Sequence, residues 1–225
     1  MLMIVAFFLV SCSRNNENFT TENTKHEAIQ KGDSIQFGEY EWVVLNVYEN
    51  NTALIISKSI VNYSTFINIV EVVDGATWEN SDLRMYLNGT FMNTFSEEER
   101  NTIISHNIYT PNNEWYGTRG GNNTVDYIFL LSIEEVVRYF GDSGQLKNPT
   151  PTGTAIRQWL IDDEYNSERL ALNEDSLPTS WWLRSSGFDY DFIATVMEDG
   201  SIRIDGTSAE NVHGARPAMI IRLQP

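Results

Sequence analysis

Short apolar runs separated by turn residues mark the chain just after residue 31. Apolar side chains recur with strand-like spacing over residues 34–37, 41–47 and 52–57, and the turn residues Gly38-Glu39 and Glu49-Asn50-Asn51 lie between these runs. Runs of this length that are bounded by turn residues are typical of β-strands. The pattern therefore predicts an antiparallel meander of three strands.

Helical spacing replaces the strand pattern after residue 79. Asn80-Ser81-Asp82 provides a cap for a short helix with apolar residues at 83, 86 and 87, and Asn88-Gly89 is predicted to end it. Ser96-Glu97-Glu98-Glu99 has the form of a capping box, in which the Ser and Glu side chains each accept a hydrogen bond from the other residue's backbone N–H. The helix that this box starts is predicted to include Ile103 and Ile104.

A second capping box, Ser132-Ile133-Glu134-Glu135, starts a helix that Gly141 is predicted to end. Asp199-Gly200 is predicted to form the turn of a hairpin. The remaining predictions are strands at 127–131, 181–185, 192–197, 201–205 and 218–223, and a weaker helix at 154–160. Strands followed by helices and then again by strands predict an α+β fold with antiparallel sheets and short helices.

The start of the sequence has a different character. Residues 2–10 are apolar and uncharged, and Leu9-Val10-Ser11-Cys12 resembles the lipobox of bacterial lipoproteins. The apolar run is far shorter than the ~20 residues that a spanning helix needs, and it matches the apolar part of a secretory signal. We therefore expect residues 1–11 to be a lipoprotein signal peptide and Cys12 to become the lipid-bearing N-terminus.

The segment after Cys12 is polar and has no periodicity up to residue 31. Residues 12–31 are predicted to form the lipidated cysteine and a flexible tether, and residues 32–225 a single globular domain. Cys12 is the only cysteine, which excludes an intrachain disulfide and multi-cysteine zinc sites. The expected location is the cell envelope, lipid-anchored to the bacterial membrane and facing outside the cytoplasm.

Charge limits the partners of the chain. There are 31 acidic residues against 15 basic ones, a net charge of -16. Nucleic-acid binders present clustered Lys and Arg, so a nucleic-acid partner is excluded. Electrostatic docking on an anionic membrane is disfavoured for the same reason, and membrane attachment is expected to come from the acyl chains. No cofactor is predicted.

The chain carries long motifs in a fixed order. They are GDSIQFGEYEW at 32–42, TWENSDLRMYLNGTF at 77–91, FSEEERNTII at 95–104, WYGTRGGNNTVDYIFLLSIEEVVRYFG at 115–141, WWLRSSG at 181–187 and GARPAM at 214–219. Together they resemble a bacterial extracellular domain family of unknown function, whose members end in Trp-Trp-Leu-Arg-Ser-Pro-Gly and Gly-Val-Arg-Pro-Ala segments. This chain has Ser186 where the family usually has Pro and Ala215 where it usually has Val.

The resemblance implies no established reaction. The closing motifs are also similar to those of C-type-lectin-like and formylglycine-generating-enzyme-like domains. This likeness implies a C-type-lectin-like fold as an analogy, and a fold alone implies no function. The oxidase chemistry of the second group needs cysteines in its site, and the sole cysteine here is assigned to lipid.

Trp182 and Arg184 are candidates for a ligand-binding surface. Alternate side chains of a strand share a face, so these two lie together, opposite Trp181 and Leu183. One interpretation is that Trp182 offers a flat surface to a sugar ring and that Arg184 donates hydrogen bonds. The alternative, which the usual burial of large aromatic residues favours, is that both Trp rings are core and Arg184 is a paired structural arginine.

Arg216 is the second arginine of interest, in the segment Gly214-Ala215-Arg216-Pro217. Arg184 and Arg216 both belong to strands near the end of the chain, where they can meet. A buried arginine–carboxylate cluster and an anion-binding site are the two alternatives. The abundance of acidic residues favours the cluster.

An aromatic, glycine-rich loop covers residues 114–123. Trp115 and Tyr116 are its candidate binding residues, because binding residues are often carried by loops. Asn122, Asn123 and Asp126 supply oxygen ligands of the kind that calcium binds, although their spacing is not that of a known calcium loop. The alternative is a turn whose Asn side chains cap the backbone.

Three functional interpretations stay open. The first is a non-catalytic binding or adhesion module for glycan or protein, with an exposed aromatic patch formed by Trp115, Tyr116, Trp182 and Tyr190. The second is an envelope hydrolase that acts on carbohydrate with paired carboxylates, for which Asp162-Asp163-Glu164 and Asp189/Asp191 are candidates. The third is a structural lipoprotein that packs on a partner through an apolar patch. The candidate ligand-binding residues are Trp115, Tyr116, Trp182, Arg184, Asp189, Tyr190 and Arg216.

Overall fold

The computed structural model of the chain describes residues 28–68, 75–147, 150–151 and 159–223. The predicted signal peptide, Cys12 and most of the predicted tether lie outside these residues, as does the predicted helix at 154–160 up to residue 158. Within the described ranges, no helix has both the length and the apolar character needed to cross a membrane.

The predicted meander is present at the start of the described chain. β1 (Ser34–Phe37), β2 (Tyr40–Tyr48) and β3 (Thr52–Ser57) pair in order and are antiparallel. A short strand, β4 (Asn62–Ser64), follows them. Every side chain of β3 is buried, so this strand belongs to the interior of the sheet rather than to its edge.

The first predicted helix begins where expected and ends later. α1 (Asp82–Tyr86) is capped by the side chain of Ser81. The chain then continues through a π-helical turn at Leu87–Phe91 and a 3-10 turn at Met92–Thr94. The prediction that Asn88-Gly89 ends the helix is therefore wrong.

Asn88 does not end the helix because its side chain binds another segment. Its amide nitrogen donates to the carbonyl of Ile128, and its amide oxygen accepts from the backbone N–H groups of Tyr127 and Ile128. Leu87 and Phe91 are buried in the same stretch. Full burial of such a side chain contributes about 1.5–3 kcal/mol, so tertiary contacts override the local turn signal.

Both predicted capping boxes are confirmed. The box at 96–99 caps α2 (Glu97–Thr102), and the box at 132–135 caps α3 (Ile133–Phe140). α2 is shorter than predicted, because Ile103 and Ile104, its last two predicted residues, form a separate strand. This strand, β5 (Ile103–Ile104), pairs with residues near the end of the chain. β-Branched side chains fit such a half-buried sheet position well.

The remaining elements are short strands and one short helix. They are β6 (His106–Ile108), β7 (Thr124–Asp126), β8 (Ile128–Phe129), β9 (Thr150–Pro151), β10 (Trp159–Ile161), α4 (Asn166–Arg169), β11 (Ala171–Leu172), β12 (Pro178–Thr179), β13 (Trp181–Ser186), β14 (Phe192–Val196), β15 (Ile202–Ser208), β16 (His213–Ala215) and β17 (Ala218–Arg222). The predicted strands correspond to β8, β13, β14, β15 and β17, and the predicted hairpin joins β14 to β15.

Two sheets contain most of these strands. The first has the order β1-β2-β3-β17-β5, with β8 also paired to β17, and the second has the order β4-β16-β13-β14-β15-β10-β9. β13 and β16 run parallel, whereas the other pairs of these sheets are antiparallel. The described chain is a mixed α/β structure with mostly antiparallel sheets and few short helices, which confirms that part of the predicted fold.

The central strands are covered on both faces. All six side chains of β13 are buried, and the indole rings of Trp42, Trp78, Trp181 and Trp182 have no exposed surface. The alternation rule gives a strand an inner and an outer face only where one face meets solvent. The predicted outer face of β13 is therefore absent.

Candidate functional site

Trp182 lies in the core. Its exposed fraction is 0%, and its Nε1 donates to the carbonyl of Ser64 at 3.0 Å. Its ring contacts Phe66 and His213, with centroid distances of 5.7 and 4.5 Å. The interpretation of Trp182 as a platform for a sugar ring is corrected, because a ligand cannot reach a ring that is covered on both faces.

Arg184 is a paired structural arginine. Its exposed fraction is 3%, and both Nη atoms donate to the carboxylate of Glu135, with an Nη2–Oε1 distance of 2.8 Å. The same two nitrogens donate to the carbonyls of Leu130 and Tyr109 at 2.7 and 3.1 Å. The interpretation of Arg184 as a hydrogen-bond donor to a ligand is corrected, because its terminal nitrogens bind Glu135 and thereby join β13 to α3.

A cavity of about 470 Å³ adjoins this ion pair. Glu114, Glu134 and Arg138 contribute to its lining, and Oε2 of Glu134 is buried without a hydrogen-bond partner in the described part of the chain. The hydrolase interpretation requires two carboxylates that act as acid and base. Glu135 is bound to Arg184 and is therefore not free to act as an acid or a base in this cavity.

Asp126 is a structural anion rather than a metal ligand. Its Oδ1 accepts from Nε of Arg84 at 2.7 Å, and its Oδ2 accepts from Nε1 of Trp78 at 2.8 Å and from Oγ1 of Thr124 at 2.6 Å. The carboxylate is buried. A buried carboxylate is stabilised by such donors, and here they leave it no path to a cation from solvent.

Asn122 belongs to a turn held by Glu79. Its backbone N–H and its side-chain amide donate to the two oxygens of the Glu79 carboxylate at 2.9 Å each, and these hydrogen bonds lower the pKa of Glu79. Asn123 is exposed. Over the described residues, no group of His, Cys, Asp and Glu is arranged to hold a metal ion. These hydrogen bonds favour the alternative, a structural turn, over the calcium-ligand prediction for Asn122, Asn123 and Asp126.

The loop that carries Trp115 and Tyr116 is anchored by a buried side chain. Nδ2 of Asn113 donates to the carbonyls of Ser186 and Ile204 at 2.8 and 3.3 Å. Its Oδ1 accepts from the backbone N–H groups of Trp115 and Tyr116 at 3.0 and 3.3 Å. The amide thus uses both of its ends to fix the two aromatic residues against β13 and β15.

A second anchor holds the far side of this loop. Oγ of Ser186 donates to the carbonyl of Arg119 at 2.8 Å, and the backbone N–H of Gly120 donates to Oδ1 of Asn112 at 3.1 Å. A Cβ atom at Gly120 would lie 2.2 Å from the carbonyl oxygen of Pro111. The backbone therefore passes over itself at a distance that only glycine allows.

The loop between β13 and β14 lies beside the first loop. The rings of Tyr116 and Phe188 contact each other edge to face at 6.2 Å, and the carbonyl of Tyr190 accepts from the backbone N–H of Ala76 at 2.6 Å. Tyr190 is 62% exposed, and Asp189 is also exposed. We call the two loops together the aromatic loop surface, formed by Trp115, Tyr116, Phe188, Asp189 and Tyr190.

Sequence reasoning found part of this surface. It named Trp115, Tyr116, Asp189 and Tyr190, but it missed Phe188, which connects the two loops. It also missed Asn113. The signal for Asn113 was present, because an Asn whose side chain binds the backbone two residues further on is a recurrent turn.

Arg216 is buried, and no carboxylate of a described residue forms an ion pair with it. Its exposed fraction is 3%. Its Nε donates to the carbonyl of Ser57 at 3.0 Å, and its Nη1 donates to the carbonyl of Arg169 at 3.1 Å. Burial lowers the pKa of Arg216 to about 10. The predicted arginine–carboxylate cluster does not include Arg216 over the residues that are described, and Arg184 and Arg216 share no hydrogen-bond partner.

A buried ion pair that sequence reasoning missed joins α4 to the preceding turn. Nη1 of Arg169 lies 2.9 Å from Oδ1 of Asp163, and their side chains are 0% and 1% exposed. The carbonyl of Arg169 accepts from Nε1 of Trp181 and from Nη1 of Arg216, each at 3.1 Å. Asp163, a candidate for hydrolysis in the sequence, is thus committed to holding an arginine.

The comparisons with known proteins assign a family. No curated protein and no solved structure matches the chain. A family model described as a domain of unknown function, DUF6273, matches residues 50–223. This match covers most of the chain. It includes β13, residues 214–217 with Arg216, and both loops of the aromatic loop surface. The chain therefore belongs to the DUF6273 family of domains of unknown function.

Proposed function

We propose that the chain is a bacterial cell-envelope lipoprotein whose domain binds a neutral glycan through the aromatic loop surface and catalyses no reaction. In this proposal residues 1–11 are a signal peptide, Cys12 carries the acyl chains, and residues 12–31 connect the lipid to the domain. The protein then faces outside the cytoplasm. The lipobox-like sequence at Cys12 supports the anchor, and two or more acyl chains give stable membrane attachment.

The observation that carries the binding proposal is the fixed backbone of the loop that carries Trp115 and Tyr116. Asn113 holds the backbone of Trp115 and Tyr116 from below, while Tyr190 reaches solvent. Loops that are already ordered lose little conformational entropy when a ligand binds. Trp and Tyr also offer large flat apolar areas with a polar tip, which suits the C–H face and hydroxyl edge of a sugar ring.

Polar groups that could bind sugar hydroxyls line a cavity between the first loop and the residues that precede α1. A cavity of about 280 Å³ is lined by Glu79, Arg119 and Asn122. These side chains combine donors and acceptors, as hydroxyl recognition requires. A domain in a chain of net charge -16 repels polyanions, so a neutral glycan fits better than an acidic one.

The likeness of the closing motifs to C-type-lectin-like domains enters here as an analogy of fold. It agrees with a glycan ligand, but an analogy of fold carries no site by itself. The proposal therefore depends on the loops and not on the likeness.

Tyr190→Ala is expected to weaken glycan binding at least ~5-fold, because loss of an aromatic anchor from a binding surface costs about 1 kcal/mol or more. The measurement screens the full chain against an array of neutral polysaccharides and then compares affinities by calorimetry. The matched control is Tyr63→Ala, which removes a tyrosine that is 44% exposed and lies on β4, outside the aromatic loop surface. The control is expected to retain its affinity.

Three outcomes would contradict the proposal. One is equal loss of affinity in Tyr190→Ala and Tyr63→Ala. Another is release of reducing sugars from a bound glycan, which would make the domain a hydrolase. The third is binding to an envelope protein, without any glycan, which would leave an adhesion module for protein.

Cys12→Ala is expected to move the protein from the membrane fraction to the soluble fraction of expressing bacteria. The reason is that the acidic domain has no electrostatic attraction for an anionic membrane and loses its acyl chains. Immunoblots of the two fractions measure the change, and Ser13→Ala, next to the cysteine, is the control. An unchanged membrane fraction for Cys12→Ala would rule out lipid on this sulfur as the anchor.

A further inference from the structure

Three arginines are buried in the described part of the chain, and one of them differs from the others. Arg169 pairs with Asp163, and Arg184 pairs with Glu135. Arg216 has no ion pair with any described residue, and its two hydrogen bonds go to carbonyl oxygens. A buried charge without a counter-ion is costly, and Arg216 differs from the other two in that no carboxylate of a described residue balances its charge.

Two aromatic rings hold the guanidinium of Arg216. The carbon at its centre lies 5.4 Å from the centroid of Phe140 and 5.1 Å from that of Trp181. Such contacts favour the charged form and fix the plane of the group. Nε and Nη1 already donate to protein carbonyls, whereas Nη2 has no acceptor among the described residues. The N–H groups of Nη2 are thus left for a ligand.

Arg216 contributes to the lining of a cavity of about 540 Å³, which we call the Arg216 cavity. Its lining includes Phe140, Tyr139, Tyr165 and the strand residues 43–45 of β2. Burial raises the pKa of Tyr139 to about 12, so its hydroxyl stays neutral. The volume falls within the range of small-molecule sites, which combine mostly apolar walls with a few polar groups.

Two further charges set the sign of the ligand. Lys31 and Glu168 contribute to the lining together with Arg216, which gives two positive charges and one negative. A single negative charge on a ligand balances this set, whereas a dianion such as phosphate meets repulsion from Glu168. A guanidinium N–H also forms a charge-assisted hydrogen bond with a carboxylate, which is shorter and stronger than a bond between neutral groups.

We infer that the Arg216 cavity binds a small monocarboxylate with an aromatic or branched apolar body. The carboxylate pairs with the guanidinium of Arg216, and the apolar body packs against Phe140, Tyr139 and Tyr165. This site is separate from the aromatic loop surface, and its existence does not depend on glycan binding.

Calorimetric titration of the full chain with phenylacetate tests the inference. Saturable binding is expected below about 10 mM. Phenylacetamide has the same shape without the charge and is expected to bind at least ~10-fold more weakly, because a charge-assisted pair is lost. Inorganic phosphate is also expected to bind more weakly than phenylacetate.

Lys31→Glu tests whether phenylacetate binds in the Arg216 cavity, and it changes no residue of the core. Lys31 is exposed at the rim of the cavity, so its reversal is expected to weaken phenylacetate binding several-fold while the fold stays intact. Lys147→Glu is the matched control, because it changes the net charge equally at an exposed lysine that is not part of this lining. Arg216→Lys, if it folds, keeps the charge, loses the fork and is expected to weaken binding further.

Any of three results would overturn the inference. They are no saturable binding of phenylacetate, equal affinity for phenylacetate and phenylacetamide, and equal effects of Lys31→Glu and Lys147→Glu. The last result would mean that the protein binds the carboxylate at a place other than the Arg216 cavity. A phosphate affinity above that of phenylacetate would also contradict the assigned ligand class.

Discussion

Trp182→Ala is expected to lower the free energy of unfolding by about 3–5 kcal/mol, the usual cost of truncating a buried Trp to Ala. The ring has no exposed surface and packs against Phe66 and His213. The substitution leaves a large cavity and also removes the donor to the carbonyl of Ser64. Urea denaturation followed by circular dichroism measures the change.

The control for this prediction is Tyr190→Ala, at a side chain that is 62% exposed. Exposed positions without special contacts usually change stability by less than about 0.5 kcal/mol. Equal stabilities of Trp182→Ala and the wild type would contradict the burial of this ring. The expected result also means that loss of ligand binding in Trp182→Ala cannot identify a binding residue.

Asp163→Asn is expected to destabilise the protein by about 3–5 kcal/mol, because removal of one partner leaves the other charge buried and unpaired. The remaining partner is Arg169, whose two terminal nitrogens lie 2.9 and 3.0 Å from the carboxylate oxygens. Oγ of Ser143 and the backbone N–H of Tyr165 also donate to this carboxylate, at 2.6 and 3.0 Å. Urea denaturation at neutral pH measures the loss.

The same pair sets a pH dependence with a definite sign. Burial raises the pKa of Asp163, but the hydrogen bonds from Arg169, Ser143 and Tyr165 outweigh it, so the pKa lies below its usual value of 3.8. A carboxyl whose pKa is lower in the folded state contributes stability above the unfolded value. That contribution is lost as the pH falls through the folded value. When the pH is lowered below about 4, the stability of Asp163→Asn is therefore expected to decrease less than the stability of the wild type.

Glu41→Gln is the matched control for Asp163→Asn. Glu41 also pairs with a cation, Lys58, at 2.6 Å, but the two side chains are 47% and 52% exposed. Exposed pairs contribute little to stability because solvent and salt screen them, so Glu41→Gln is expected to cost much less stability than Asp163→Asn. Equal losses in the two variants would show that burial does not determine the strength of the inner pair.

The elements that local signals specify were predictable from the sequence. The meander at β1–β3 follows from short apolar runs between turns. Both capping boxes follow from a Ser and a Glu at fixed spacing, which bind each other's backbone. The predictions failed where distant residues decide, as when Asn88 binds the 127–128 backbone instead of ending a helix.

The site was predictable only where residues lie in loops. Trp115, Tyr116 and Tyr190 stand between regular elements, and loop aromatics commonly reach the surface of a domain. Trp182 and Arg184 lie in a strand that is buried on both faces. The alternation of side chains along a strand does not indicate whether other elements pack against both faces. The partner of a buried arginine is equally hidden, because Asp163 and Arg169 meet through a turn that no motif marks.

The central position of β17 has a consequence for the order of events during biosynthesis. This strand pairs with β3, β5 and β8, yet its residues are among the last of the described chain to leave the ribosome. Until they emerge, β3 has no neighbour on one side and the sheet cannot close. Pairing between segments so distant along the chain is intrinsically slow, so this sheet is expected to close only when synthesis of the described chain is nearly complete.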